Sequence, residues 1–115
     1  MKVTDILRIL SGYKFSLSSE KILQEEICSV LESNSISFER EVKLSSDSFI
    51  DFLLSDIGVE VKIKGTAAGI YRQLTKYCAS EKINAVILLT NRSMGVPTQI
   101  NNKPVYVVHL GEKWL

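Results

Sequence analysis

The sequence predicts an α/β domain in which helices pack against a mixed β-sheet. Two segments near the N-terminus space their apolar residues along one face of a helix. Three short strand-like segments separated by turn residues follow. A third helical segment then leads into an unbroken apolar run, which is typical of a strand buried on both faces. Antiparallel strands joined to such a strand by a helical crossover imply a mixed sheet with helices packed on it.

The boundaries of the elements follow from apolar spacing and from the turn residues between segments. We predict helices over 3–10, 20–33 and 66–80, and strands over 36–44, 49–54, 59–63, 85–90 and 105–110. Either Ser18 or Ser19 is placed to cap the second helix. Residues 45–48 and 55–58 are predicted turns, and 91–104 is a predicted loop because it is rich in Gly, Pro and Asn.

Length and composition are those of one small globular domain over residues 1–115, with an N-terminal helix and connection over 1–18 and the core over 19–110. The apolar runs fall far short of the roughly 20 residues needed to cross a bilayer. The N-terminus lacks a signal-peptide pattern, so we expect a cytoplasmic protein with no membrane contact. Cys28 and Cys78 have no motif spacing and are expected to lie reduced in the core.

Charge is distributed unevenly along the chain. Acidic side chains outnumber basic ones in residues 1–60, and the reverse holds in residues 61–115, although the net charge is only +1. This asymmetry permits a basic face toward phosphates. Solvated charges scattered over the surface explain the same composition, so charge alone does not identify a partner.

Asp51 is the first unusual residue, because it interrupts an apolar strand where burial is expected. A buried carboxylate without a partner is strongly unfavourable, so such a residue usually has a specific role. Two explanations are open at this point. Asp51 either belongs to a functional site or is satisfied structurally by a lysine or by backbone amides.

Glu60 and Lys62 are the second unusual feature, because they alternate with apolar residues and therefore share one face of a strand. We predict that Leu54 pairs with Val59 across the turn, which places Asp51 on that same face and diagonal to Glu60. A slip of one residue would put Asp51 on the opposite face and separate the three side chains.

Two carboxylates and an ammonium group are what phosphodiester hydrolysis requires. Asp51 and Glu60 offer hard oxygen ligands for Mg²⁺ or Mn²⁺. Lys62 is placed to position water or to offset negative charge that develops on the phosphoryl group. The sequence therefore predicts a divalent-metal site with Asp51, Glu60 and Lys62 as catalytic residues.

Asp51, an eight-residue gap and then Glu60-Val61-Lys62 resemble the signature of the PD-(D/E)XK nuclease superfamily, which includes restriction endonucleases and Holliday-junction resolvases. The resemblance implies a restriction-endonuclease-like αβββαβ core, here with an additional N-terminal helix and a final C-terminal strand. The predicted elements over 20–90 follow that order. Ile50 stands where many members have proline, but others lack it.

Gln73 and Tyr77 are similar to the Gln-x-x-x-Tyr motif of the RecB-like branch of that superfamily. Their spacing puts both on one face of the predicted helix, and the resemblance places them in the catalytic site. An amphipathic helix whose Gln and Tyr border the core is the alternative. Lys64, Arg72 and Lys76 are candidate contacts to nucleic-acid phosphates, although solvation explains them as well.

The family usually adds an acid from the helix before the three strands, and Glu20, Glu25 and Glu26 are the candidates here. At about 100° per residue, Glu20 lies near the centre of the apolar stripe of its helix, Glu26 lies at the border and Glu25 points away. Glu20 is therefore the preferred third metal ligand. The alternative is an N-terminal acid favoured by the helix dipole.

The expected function is that of a Mg²⁺- or Mn²⁺-dependent endonuclease of DNA, either structure-selective or associated with a mobile element. The small size and the lack of a recognition domain favour a homodimer or a partner protein that supplies target recognition. Two alternatives stay open. One is a non-catalytic module that binds nucleic acid or protein on the same fold, and the other is a structural subunit in which the motif is a coincidence.

Overall fold

The computed structural model describes residues 2–111, which form three helices and six strands. The helices are α1 (Val3–Ser11), α2 (Glu20–Ser33) and α3 (Ala67–Cys78). The strands are β1 (Glu39–Ser45), β2 (Ser48–Leu54), β3 (Ile57–Lys62), β4 (Ala85–Thr90), β5 (Gln99–Ile100) and β6 (Lys103–His109). This order of elements confirms the predicted α/β class.

One mixed sheet contains all six strands in the order β1-β2-β3-β4-β6-β5. The strands β1, β2 and β3 form an antiparallel meander, whereas β3, β4 and β6 run parallel. The short strand β5 pairs antiparallel with β6 at the far edge. The parallel pair β3 and β4 is joined through α3, as a parallel connection requires a crossover.

The helices cover both faces of the sheet and create two apolar cores. The core on one face joins α1 and α2 to the sheet through buried residues that include Leu10, Leu23, Ile27, Val59 and Ile87. The core on the other face joins α3 to the sheet through residues that include Ile70, Leu74, Ile83, Val86 and Leu88. The strand β4 is buried along its whole length, as its apolar run predicted.

The helices α2 and α3 begin where hydroxyl side chains cap them. Ser19 accepts a hydrogen bond from the backbone N–H of Ile22, and Thr66 accepts one from the backbone N–H of Gly69. The predicted stripe of α2 is buried. In α3 the buried residues are Ile70, Leu74, Tyr77 and Cys78, whereas Tyr71 is 45% exposed.

Several predicted boundaries differ from the structure. The first strand begins at Glu39 rather than at residue 36. The predicted loop over 91–104 contains β5 and the start of β6. Asn101 and Asn102 make the two-residue turn between those strands, with φ values of 54° and 62° that asparagine tolerates well.

The predicted pairing of Leu54 with Val59 is wrong, because Leu54 pairs with Ile57 and Val59 pairs with Phe52. Only residues 55 and 56 turn the chain, with Ser55 at a φ of 58°. The turn is tied to the segment before β4, since the backbone N–H of residue 84 donates to the carbonyl oxygen of residue 56 at 2.8 Å. The register differs by two residues, and a shift by an even number of residues does not by itself move a side chain to the other face.

The alternation of side chains along β2 is broken at Asp51. Ile50 packs in the core beside α3, whereas Phe52 packs in the core beside α2. On the neighbouring strand β1, Glu41 has a φ of 49°, and the ladder between the strands steps from the Arg40–Phe52 pair to the next pair at residues 42 and 50. Asp51 therefore lies at a local irregularity in the sheet.

Within residues 2–111, no helix combines the length and the apolar character needed to cross a membrane. Cys28 and Cys78 are both buried free thiols, which confirms the prediction that they lie reduced in the core.

Gly58 is a position where the sheet has no room for a side chain. A Cβ built there would overlap the Cδ1 atom of Ile50 and lie 2.9 Å from Cδ1 of Ile83, and both side chains are fully buried. We expect Gly58→Ala to lower the free energy of unfolding by about 1–3 kcal/mol through overpacking. Urea denaturation measures this loss.

Gly95 supplies the control, because a Cβ built there would meet no atom within 4 Å. Gly95→Ala should change the free energy of unfolding by less than about 0.5 kcal/mol. Equal stabilities of the two variants would contradict the close packing assigned to Gly58.

Candidate functional site

The candidate site is built where β2 and β3 separate. The register of the hairpin, continued beyond Phe52 and Val59, sets Asp51 opposite Glu60. The backbone N–H of Asp51 donates to Oε1 of Glu60 at 3.1 Å, and the backbone N–H of Val61 donates to Oδ2 of Asp51 at 2.8 Å. Each carboxylate thus accepts a hydrogen bond from a backbone N–H of the opposite strand. It takes the place of the carbonyl oxygen that would accept this bond in a regular sheet.

Lys62 lies beside these carboxylates, as the alternation along β3 predicted. Its Nζ atom is 3.9 Å from Oε2 of Glu60, and its side chain is half-buried. Val59 and Val61 point to the other face and fill the core beside α2. The structure therefore brings Asp51, Glu60 and Lys62 together at one point of the sheet.

The helix α2 contributes a third carboxylate, Glu20, to the same region. The backbone N–H of Ile63, just after β3, donates to Oε2 of Glu20 at 2.9 Å. The other two candidates bond elsewhere, because Glu25 pairs with Arg40 at 2.8 Å and Glu26 accepts the backbone N–H of residue 16 at 2.7 Å. Of the three acids, Glu20 is the one that reaches β3.

Tyr77 supports the site from α3. Its hydroxyl is 2.8 Å from Oε2 of Glu60 and 3.0 Å from the carbonyl oxygen of Phe49, with its proton available to either acceptor. The ring is fully buried, so the hydroxyl has little freedom to move away. Gln73, one helical turn earlier, is half-buried and lines a surface hollow together with Lys62. Both predicted residues of α3 therefore lie on the side of the helix that borders the site.

Burial and like charge dominate the electrostatics of this site. Burial, and then the nearby charge of Asp51, raises the pKa of Glu60 to about 8. Burial also raises the pKa of Asp51, although its hydrogen bond from Val61 opposes the shift. Burial and the carboxylate of Glu60 raise the pKa of Tyr77 well above its usual range, so the phenol keeps its proton. A proton or a bound cation would relieve the repulsion between the carboxylates.

The residues present fit a small hard cation better than a softer metal. Mg²⁺ is commonly held by one or two carboxylates while waters and substrate phosphates complete its coordination. Asp51 and Glu60 supply that pair, and Glu20 adds negative charge nearby. Within residues 2–111, no group of three or more His, Cys, Asp or Glu side chains has the geometry of a metal site. Residues 2–111 therefore provide a pair of neighbouring carboxylates rather than a complete cage for a metal ion.

The three predicted phosphate contacts have different environments. Lys64 is exposed and lines the same hollow as Lys62 and Gln73. Arg72 is exposed on α3. Lys76 forms an ion pair with Asp47 at 2.8 Å, so its charge is directed toward the turn between β1 and β2.

Some groups of the site have no signature in the sequence. The amides of Val61 and Ile63 hold the carboxylates, and the carbonyl of Phe49 holds the Tyr77 hydroxyl. Backbone groups are the same in every residue, so only the fold reveals them. Gly65 and Thr66 also line the hollow beside Lys62. A Gly-Thr pair between a strand and a helix could have indicated a cap and an open surface there.

No family model, curated protein sequence or solved structure matches this chain. Function is therefore inferred from the geometry of Asp51, Glu60 and their neighbours, and the resemblance to the nuclease superfamily stays a prediction.

The raised pKa of Glu60 predicts a pH-dependent stability for the metal-free protein. Between its ordinary pKa of 4.5 and its folded value of about 8, the folded protein binds the proton that the unfolded chain has released. The free energy of unfolding should therefore be largest at the acidic end of this window and fall as the pH rises through it. Urea denaturation in EDTA, at several pH values between about 5.5 and 8, measures this slope.

Glu60→Gln is the matched variant, because the amide cannot ionise and still offers an oxygen to the N–H of Asp51. In this variant the free energy of unfolding should depend less steeply on pH over the same range. A variant that keeps the full slope of the wild type would show that another group causes it.

Proposed function

We propose that this chain is a divalent-metal-dependent nuclease that hydrolyses phosphodiester bonds in DNA. The observation that carries the proposal is the junction of β2 and β3, where the carboxylates of Asp51 and Glu60 each accept a hydrogen bond from a backbone N–H of the other's strand. Lys62 lies 3.9 Å from Glu60 at the same place. Two hard ligands beside an ammonium group suit the chemistry of phosphate esters.

The order of the elements supports the same proposal. From α2 to β4 the chain runs through a helix, three antiparallel strands, a crossover helix and a parallel strand. That is the order of a restriction-endonuclease-like core, with α1 before it and the β5–β6 hairpin after it. Asp51 lies on the second strand of the meander and Glu60 on the third, as the predicted strands over 49–54 and 59–63 placed them.

Asp51 and Glu60 would hold a Mg²⁺ or Mn²⁺ ion, with Glu20 as the additional acid from α2. When bound, such an ion withdraws charge from a phosphoryl group and lowers the pKa of water. The backbone amides that bond Asp51, Glu60 and Glu20 hold these carboxylates in one orientation. This fixed arrangement reduces the reorganisation needed when a substrate arrives.

Lys62 and Tyr77 have separate roles in this proposal. Lys62 keeps part of its side chain exposed, so its ammonium can contact a phosphate oxygen or orient the attacking water. Tyr77 is buried and contacts no solvent, so it acts on Glu60 as a positioning residue. Gln73 is half-buried and lines the hollow beside Lys62, where its amide can meet the substrate.

A non-catalytic module that binds DNA or a protein is the second candidate. It is favoured by the absence, within the described part of the chain, of a cluster of three potential ligands with metal-site geometry. Both oxygens of Glu60 already accept hydrogen bonds from Asp51 and Tyr77. Buried carboxylates bonded in this way also occur for structural reasons.

Cleavage assays test the enzymatic proposal. The protein is incubated with supercoiled plasmid and with branched DNA, in Mg²⁺ or Mn²⁺ and in EDTA. We expect cutting only with the metal, and a loss of about 10²–10³-fold in rate in Glu60→Gln and in Lys62→Ala, because each removes a group that stabilises the transition state. Gel electrophoresis over time gives the rates.

Glu25→Gln is the matched control for the loss of a carboxylate, since Glu25 is exposed and pairs with Arg40 on the surface. It should cut DNA at the rate of the wild type. Full activity in Glu60→Gln would refute the proposed site. A wild-type protein that binds DNA but does not cut it in either metal would instead identify the non-catalytic module.

Tyr77→Phe tests the positioning role, because it keeps the buried ring and removes only the hydroxyl. We expect kcat to fall about tenfold with KM nearly unchanged, which corresponds to the loss of about one hydrogen bond that orients Glu60. Tyr71→Phe, on the exposed side of α3, is the control and should keep both constants. A Tyr77→Phe variant with lower stability and normal kcat would assign the hydroxyl a purely structural role.

A further inference from the structure

A hollow of about 360 Å³ opens on the surface next to the candidate site. The residues that line it include Lys62, Lys64, Gly65, Thr66, Gly69 and Gln73. It lies between the end of β3 and the first two turns of α3. A concave surface of this size, beside reactive side chains, is a common place for a ligand.

The hollow is positively charged. Lys62 and Lys64 are the ionised side chains among the residues that line it, and none of those residues is acidic. Arg72 adds a third positive charge at the rim, because its Nη2 atom is 3.8 Å from the place where a Cβ of Gly69 would be. The positive charge of the hollow therefore suits an anion with several oxygen atoms, such as a phosphate diester.

The two glycines keep the surface open. Gly65 has a φ of 103°, a conformation that L side chains rarely adopt, and a Cβ there would meet only Ile70, at 4.0 Å. Gly69 also lacks a side chain on the wall formed by α3. A ligand can therefore approach the backbone closely at both positions.

Lys62 connects the hollow to the carboxylates. It lines the hollow, and its ammonium is 3.9 Å from Glu60. Gln73 also lines the hollow and lies one helical turn before Tyr77 on the same side of α3. A polymer that occupies both places would run from the carboxylates past Lys62 toward Lys64.

We infer that this hollow binds the backbone phosphate next to the scissile one, with Lys64 and Arg72 as its main contacts. The inference rests on the proposed function, because it takes the junction of Asp51 and Glu60 as the place of cleavage. Lys76 is not included among these contacts, because its ammonium is paired with Asp47. The DNA strand therefore contacts the side of α3 that carries Gly69 and Gln73.

The test measures binding without cleavage. Fluorescence anisotropy follows a fluorescein-labelled duplex of about 20 base pairs in EDTA, over a series of salt concentrations. Lys64→Ala and Arg72→Ala should each weaken binding several-fold and reduce the slope of log K against log salt by about 1, because each removes one phosphate contact. Both residues are exposed, so thermal melting should show that the variants are folded.

Lys82→Ala is the matched control, since Lys82 is an exposed lysine after α3 and its ammonium lies 3.4 Å from the carbonyl oxygen of Lys43. It should keep the affinity and the slope of the wild type. The inference is overturned if Lys64→Ala and Arg72→Ala bind like Lys82→Ala, or if the wild type does not bind DNA.

The result of this binding test can be distinguished from the result of the cleavage assay that tests the proposed function. If the wild type cuts DNA but neither Lys64→Ala nor Arg72→Ala changes the salt dependence of binding, the proposed phosphate site is refuted and the nuclease proposal stands. If the wild type binds through Lys64 and Arg72 but never cuts, the nuclease proposal fails and the phosphate site is supported as a binding site. In a protein that cuts, Lys64→Ala should raise KM and leave kcat nearly unchanged.

Discussion

The reciprocal hydrogen bonds between Asp51 and Glu60 are the constraint on which the rest of the site depends. Where two strands separate, their amides lose the carbonyl partners of a regular sheet, and unpaired buried amides are costly. Here the carboxylates of Asp51 and Glu60 accept those amides. The same bonds hold the two carboxylates close together. One local irregularity in the sheet therefore satisfies the backbone and concentrates negative charge in a partly buried place.

The surrounding elements stabilise that irregularity from both faces of the sheet. The helix α2 brings Glu20 to the amide that follows β3, and α3 brings the hydroxyl of Tyr77 to Glu60. Both helices are anchored by fully buried apolar residues, such as Leu23 and Leu74. Polar groups supported by rigid elements keep their geometry better than groups on loops. The two apolar cores thus hold the acids and the phenol in position.

The electrostatic cost of this arrangement indicates what the site is suited to bind. Burial raises the pKa of both carboxylates, and the charge of Asp51 raises that of Glu60 further, which favours a proton or a cation at this place. Lys62 compensates only in part, since it is 3.9 Å from Glu60 and stays partly exposed. The basic hollow beyond Lys62 has the opposite preference and suits an anion. A substrate that combines phosphates with a divalent cation would suit both places, as the proposed function requires, and local departures from regular structure are expected at functional sites.

The sequence by itself determined the α/β class, most of the helices and strands, and the shared face of Glu60 and Lys62. These features depend on periodicity, and a register error of two residues does not change the alternation along β3. The tertiary structure decided the register itself, the choice of Glu20 among the acids of α2, and the burial of Tyr77 against Glu60. It also decided the short strand β5 and the hollow beside α3. Such features arise from contacts between elements that are distant in the chain. Local sequence patterns do not indicate which of these elements pack against each other.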